Sequence, residues 1–302
     1  MYYNNITITT IVTFSFVMKE TIFNKCSAAN GGAIFLDNAA LGIKLFDCGF
    51  YKCSATSRAG GIMVQKNSYF VSKNVCFDLC EASLSPNFLL WADVHENRDS
   101  EVNNTSENDY CTGGHGSCPG GRNRFLFCNN NASNHISTAY AGGWHFLFIP
   151  VSISCSYNQL SNNTGRGIIS FELNNANQQF SYFNFINNNP SVALITFQLY
   201  ITHRVVFQNS VFIMKSAIQI CGPLSGSGLI TLDRCVFNLD IPSNMKSNIQ
   251  ETFCSYAISP ISTNHIRLFE TKICWQYPIT IQIMRKLPKL MILSVFSLIS
   301  FI

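Results

Sequence analysis

Two groups of residues in this chain are of types that could do chemistry. The first lies between Trp91 and Arg124, where Asp93 and Glu96 flank His95 and where Glu107 and Asp109 precede His115. Carboxylate pairs beside a histidine are the parts of a hydrolase, one acid protonating a leaving group and the other acting as base or nucleophile. Here they sit in a nearly all-polar stretch, ADVHENRDSEVNNTSENDYCTGGHGSCPGGRNR, and the simplest role for such acids is to be solvated. The second group is Cys26, Cys53 and Cys80, which recur 27 residues apart. Thiols at equal positions of a repeat stack in a line and do not converge tetrahedrally, so they are a poor metal site. Neither a Gly-x-Ser-x-Gly, a His-Glu-x-x-His, a phosphate loop nor a Gly-x-Gly-x-x-Gly occurs. No catalytic, cofactor-binding or metal-binding residue is assigned, and no enzymatic activity is expected.

The spacing of those cysteines leads to the elements that carry them. Phe23, Phe50 and Phe77 keep the same 27-residue interval, giving FNKCSAANGGAIFL, FYKCSATSRAGGIMV and FDLCEAS. A period of 20–50 residues marks a solenoid, in which each unit buries its apolar face only against its neighbours. Short β-rich runs separated by Gly, Asn, Asp or Ser fill each period, without helical periodicity. The expected fold is all-β: a right-handed parallel β-helix of about eight or nine rungs. Phe23, Phe50, Phe77, Phe127, Tyr157, Phe185, Phe212 and Phe237 are expected to stack as one internal aromatic column. Three positions later lie Cys26, Cys53, Cys80, Asn130, Leu160, Asn188, Lys215 and Asp240, where cysteines fit an inward turn and asparagines form amide ladders.

Residues 1–22 read as a partial first coil and 23–271 as the β-helix, interrupted by a long loop at 91–124. Cys111 and Cys118 could close a small disulfide in that loop. Cys76–Cys80, Cys48–Cys53 and vertical pairs within Cys26, Cys53 and Cys80 are further possibilities, which sequence leaves open. Residues 272–302 form a C-terminal segment ending in an apolar tail, 290–302, behind a short basic patch. That tail is short for a spanning helix of ~20 residues; a truncated anchor, an interfacial segment and an apolar cap are the alternatives. The N-terminus lacks the marks of a signal peptide.

Of 302 residues, 47% are hydrophobic and only 12% charged, while Asn alone accounts for 32. A net charge of +4 without a Lys/Arg cluster excludes a nucleic-acid footprint. Thirteen cysteines and the sequons at Asn5, Asn103, Asn104, Asn131 and Asn162 favour an extracytoplasmic location.

The motifs GGAI at Gly31–Ile34, GGIM at Gly60–Met63, and FxxN at Phe127–Asn130 and Phe185–Asn188 resemble those of chlamydial polymorphic outer membrane proteins. They are also similar to large Asn- and Cys-rich surface proteins of trichomonad protists. The resemblance implies a pectin lyase-like β-helix and a surface-exposed adhesive or coat role, with a host or cell-surface protein or a glycan as partner. Membrane association would run through the apolar tail. The Phe-x-x-Cys variant departs from the bacterial form, and no autotransporter barrel is visible. The same fold hosts pectate lyases and polygalacturonases, which place clustered acids and Arg or Lys on one face. Asp233–Arg234 is a thin substitute for that set. A polysaccharide-active enzyme is therefore the first alternative function, and a fragment of a larger surface protein the second.

Overall fold

In the computed structural model the chain divides into two compact units, Met1–Phe269 and Glu270–Ile302. The structure describes residues 2–3, 6–8, 15–37, 42–66, 69–91, 99–108, 114–120, 124–147, 152–172, 178–197, 204–222, 229–240, 249–257 and 263. The tail 290–302 and residues 1, 4–5 and 9–14 of the first coil lie outside them. Every described strand pairs in parallel, and the first unit is a β-solenoid. One long sheet climbs its length through Ile22–Asn24, Gly42–Tyr51, Tyr69–Asp78, Asp99–Asn108, Arg124–Cys128 and the strands above them to Ser255–Tyr256. A second face is built by Ile34–Asp37, Ile62–Gln65 and Phe88–Trp91, and above them by Ala141–Leu147, Gly167–Glu172 and Ile195–Phe197. Gly31 turns the corner into that face at φ +56, and a Cβ on Gly32 would stand 2.2 Å from the Gly60 carbonyl oxygen, so this corner is glycine's.

Parallel pairing sets equal positions of successive tiers about 4.8 Å apart, the distance at which aromatic rings stack. Phe23, Phe50 and Phe77 do so with centroids 4.7 and 4.8 Å apart, and Phe185, Phe212 and Phe237 with 4.8 and 4.6 Å. The middle of the expected aromatic column is different. The register continues Phe77↔Glu107↔Ala132↔Leu160↔Phe185, so Phe127 and Tyr157 do not belong to it. Phe127 stands in a neighbouring inward column, Val102↔Phe127↔Cys155↔Phe180↔Phe207. Tyr157 is 40% exposed at φ +57 and stacks outside on Tyr182, centroids 4.7 Å apart.

The reason is that a tier of the long sheet has inward positions on both sides of a bend, as Ile43 and Leu45 lie before Asp47 and Cys48 and Phe50 after it. The bend is a single left-handed residue, repeated at Asp47, Asn74, Asn104, Asn129, Tyr157, Tyr182, Asn209, Arg234 and Phe253, all at φ +50 to +58. A second such column runs through Lys25, Lys52, Leu79, Asn134, Asn162 and Asn187. Asparagine tolerates this conformation better than other non-glycine residues. Much of the chain's asparagine thus serves the backbone.

Directly after many of these bends a cysteine or asparagine side chain turns inward and donates to a carbonyl of the tier before. Where it is cysteine, the thiols of Cys48, Cys53, Cys80, Cys235 and Cys254 donate to Met18, Phe23, Phe50, Phe207 and Leu232 oxygens. Where it is asparagine, the Nδ2 groups of Asn130, Asn158, Asn163 and Asn188 donate to Val102, Phe127, Ala132 and Leu160 oxygens. The amide does more than the thiol: its Oδ1 also accepts a backbone N–H, as Asn163 does from His135 and Asn188 from Asn163. Cysteine and asparagine are two answers to one buried hydrogen-bonding demand.

The expected loop at 91–124 holds a full tier. Asp99–Asn108 pairs with Tyr69–Asp78 below and with Arg124–Cys128 and Asn131–Ser133 above. Its inward residues include Ser100, Thr105, Ser106 and Glu107, all buried, which is why it carries no apolar alternation to betray a strand. Cys118 is a buried thiol in no disulfide, 3.0 Å from the Ser85 hydroxyl, so the Cys111–Cys118 bridge is not made. Cys26, Cys48, Cys53 and Cys80 are in no disulfide either, which removes the bridges considered among them. Cys76 is disulfide-bonded, and since no other described cysteine is in a disulfide its partner lies outside the described residues.

Candidate functional site

Of the acids considered for chemistry, Asp93, Glu96 and Asp109, with His95, lie outside the described residues. Glu107 is fully buried in the core, in the position that a phenylalanine occupies two tiers either side of the solenoid's middle. Its carboxylate accepts from Asn87 Nδ2 at 2.6 Å, from Trp144 Nε1 at 3.0 Å and from the Ser117 hydroxyl. Desolvation pushes its carboxyl up to about 7 against the pull of those three donors. With no path to solvent it serves packing, joining Trp144 to the interior where Ala132 in the next tier leaves room. His115 stacks on Tyr140, centroids 4.7 Å apart, and lies tilted against His145 at 3.8 Å. His145 Nε2 lies 3.0 Å from Glu172. Burial drives His115 down to about 3, helped by the neighbouring imidazole, and lowers His145 despite the carboxylate. Glu107 and His115 therefore serve different clusters. Asp233 is engaged by Arg234 and by Gln208 Nε2, both at 2.9 Å, as a surface ion pair. Among the described residues no group of three His, Cys, Asp or Glu side chains could hold a metal.

A different constellation is assembled on the outside of the long sheet. Two outward columns climb side by side over consecutive tiers: Gly42, Tyr69, Asp99 and Arg124 in one, Lys44, Val71, Glu101 and Leu126 in the other. They line a groove of about 280 Å³. Tyr69 lies over Gly42, where a Cβ would come within 2.1 Å of the ring, so that glycine makes the ring's seat. Lys44 Nζ stands 5.3 Å from the Tyr69 centroid, a cation–π distance. Glu101 pairs with Lys73 at 2.9 Å, and Asp99 accepts the Arg124 backbone N–H at 3.2 Å. The groove thus combines an aromatic face, three cations within reach and two carboxylates held by neighbours.

Sequence reasoning placed Asp99, Glu101 and Arg124 in a loop and passed over Lys44 and Tyr69. The Asp-Ser-Glu-Val alternation at 99–102 is the one local signal of an outward acid face. Only the register brings residues from 42 to 126 together. Comparison with family models, curated proteins and solved structures returned no match. Among the described residues no helix is long and apolar enough to cross a membrane.

Proposed function

We propose that this is a non-enzymatic surface or secreted β-solenoid protein that binds a glycan or a cell-surface protein through the Tyr69–Arg124 groove. The observation that carries the reading is the groove's composition: an aromatic face beside fixed carboxylates and cations on a rigid, multi-strand floor. An aromatic face with convergent polar groups is the usual make-up of a ligand site. Asp99 and Glu101 are each held by a neighbour, which fits accepting hydrogen bonds from a ligand better than shuttling protons. The likeness of the GGAI, GGIM and FxxN motifs to chlamydial and trichomonad surface proteins, on a parallel solenoid, supports an adhesive or coat role. The disulfide at Cys76 supports an oxidising, extracellular setting. Membrane association through 290–302 belongs to the same proposal.

Binding of the purified chain to immobilised glycans and to cell surfaces tests it. Tyr69→Ala with Arg124→Ala should weaken binding by about tenfold or more, the loss of one aromatic contact and one cation. Undiminished binding by the folded double variant overturns the groove as the site.

A polysaccharide-active enzyme is the second reading, favoured by Asp99 and Glu101 lying two residues apart in one groove. Release of new reducing or unsaturated ends from uronate polymers, abolished by Asp99→Asn, would support it; intact polymer would remove it.

A further inference from the structure

Cys235 and Cys254 hold the same inward corner in consecutive tiers. The registers Asp233↔Thr252 and Val236↔Ser255 bracket them, and the Ser255 N–H donates to the Cys235 carbonyl at 2.9 Å. Parallel neighbours stand about 4.8 Å apart, inside the Cα separation of ~4.4–6.8 Å that a disulfide spans. The two thiols differ in access. Cys235 is fully buried, whereas Cys254 is the one free cysteine among the described residues that is not buried. The neighbouring Cys235 thiol is the first cause holding the Cys254 thiol below its ordinary value, and the same neighbourhood pushes Cys235 up. The Cys26, Cys53 and Cys80 column also brings thiols together, but all three are sealed in the core; the Cys53 contact and then burial raise Cys26, and against the pull of Cys26 the Cys80 contact and burial raise Cys53.

We propose that Cys254 and Cys235 form a peroxide-reactive thiol pair, Cys254 as the attacking sulfur and Cys235 as the resolving one. The Cys254 thiolate attacks one oxygen of hydrogen peroxide; the O–O bond breaks, leaving Cys254 as a sulfenic acid and releasing hydroxide, which takes up the thiol proton as water. Cys235 then attacks the sulfenyl sulfur, the S–S bond forms, and the hydroxyl departs with the Cys235 proton as a second water. Two thiols lose two electrons and one peroxide is reduced. The bond ties the tier at Ile249–Thr252 and Ser255–Tyr256 to the one before it, and the Phe207 and Leu232 carbonyls give up their thiol donors.

The test uses the full chain, purified without reductant so that the Cys76 disulfide is kept, and treated with equimolar hydrogen peroxide near pH 7. Trypsin separates 235–246 from 247–267, so the expected product is that peptide pair joined by a disulfide, lighter by two hydrogens than the separate peptides. In Cys235→Ser the resolving thiol is gone, and dimedone should trap the sulfenic acid on Cys254. Should that variant fail to fold, the wild-type chain still decides: iodoacetamide should label Cys254 at least about tenfold faster than Cys53. Recovery of both residues as free thiols after peroxide, linkage of Cys254 to another cysteine, or equal labelling of Cys254 and Cys53 overturns the proposal.

Discussion

Glu107→Gln isolates the cost of placing an ionisable group where the rest of the column places phenylalanine. In the folded chain the carboxyl holds its proton up to about 7, against an ordinary value of 4.5. Between those values the folded state binds a proton that the unfolded state has lost, so stability falls as pH rises through the window and levels off above it. At ~1.4 kcal/mol per decade of proton affinity the difference comes to about 3 kcal/mol. The buried histidines act in the opposite sense: His115, His135 and His145 are all held down by burial, so each takes stability away as pH falls below about 6.5. A bare pH profile therefore mixes both limbs, and the difference between wild type and variant cancels the histidines. The surroundings tolerate a neutral amide, because Asn87 Oδ1 is buried without a hydrogen-bond partner and a half-turn of that side chain presents an acceptor. Urea unfolding followed by tryptophan fluorescence, with Trp144 donating directly to this carboxylate, is the assay. The variant should gain about 3 kcal/mol relative to wild type between pH 4 and pH 8. A difference that stays constant over that range refutes the reasoning, since it means that Glu107 ionises as readily inside the fold as outside.

The corner donors make a two-variant prediction. Asn163→Ala leaves the His135 N–H and the Ala132 carbonyl unpaired and should cost about 3 kcal/mol in denaturant titration, while Asn163→Cys restores the bond to the Ala132 carbonyl and should cost roughly half as much. At the bend columns, Glu20 is exposed at φ +50, and Glu20→Asn should stabilise by up to about 1 kcal/mol, read as slower hydrogen exchange in the adjoining tiers.

Stacking made the solenoid legible: whatever fills an inward position in one tier touches the same position in the next, so Phe23, Phe50 and Phe77 repeat in the sequence as they repeat in space. What escaped notice follows from the bend. With two inward positions on either side of a left-handed residue, an aromatic can slip from one column to the other without disturbing the period, as Phe127 does, or move to the bend and face out, as Tyr157 does. The tier at Asp99–Asn108 was invisible for another reason. Apart from Val102 its inward side chains are polar: Glu107 is met by Asn87, Ser117 and Trp144, while the Ser100, Thr105 and Ser106 hydroxyls are buried without a hydrogen-bond partner. Hydrophobic alternation measures transfer from water, and a strand whose inner face is mostly polar has little apolar surface to transfer. The groove was hidden more deeply still, because Lys44, Tyr69, Glu101 and Arg124 become neighbours only through a register that spans several tiers.

The corner bonds all point one way. Cys53 reaches to Phe23, Cys80 to Phe50, Asn163 to Ala132, Asn188 to Leu160 and Cys254 to Leu232, each to a tier made earlier in the chain. A ribosome or a secretion channel delivers the chain in that same order. Each newly emerged corner finds its acceptor already in place, and only the latest tier is left waiting for a partner. The molecule can thus be laid down course upon course as it is synthesised, with its growing end the single unfinished edge.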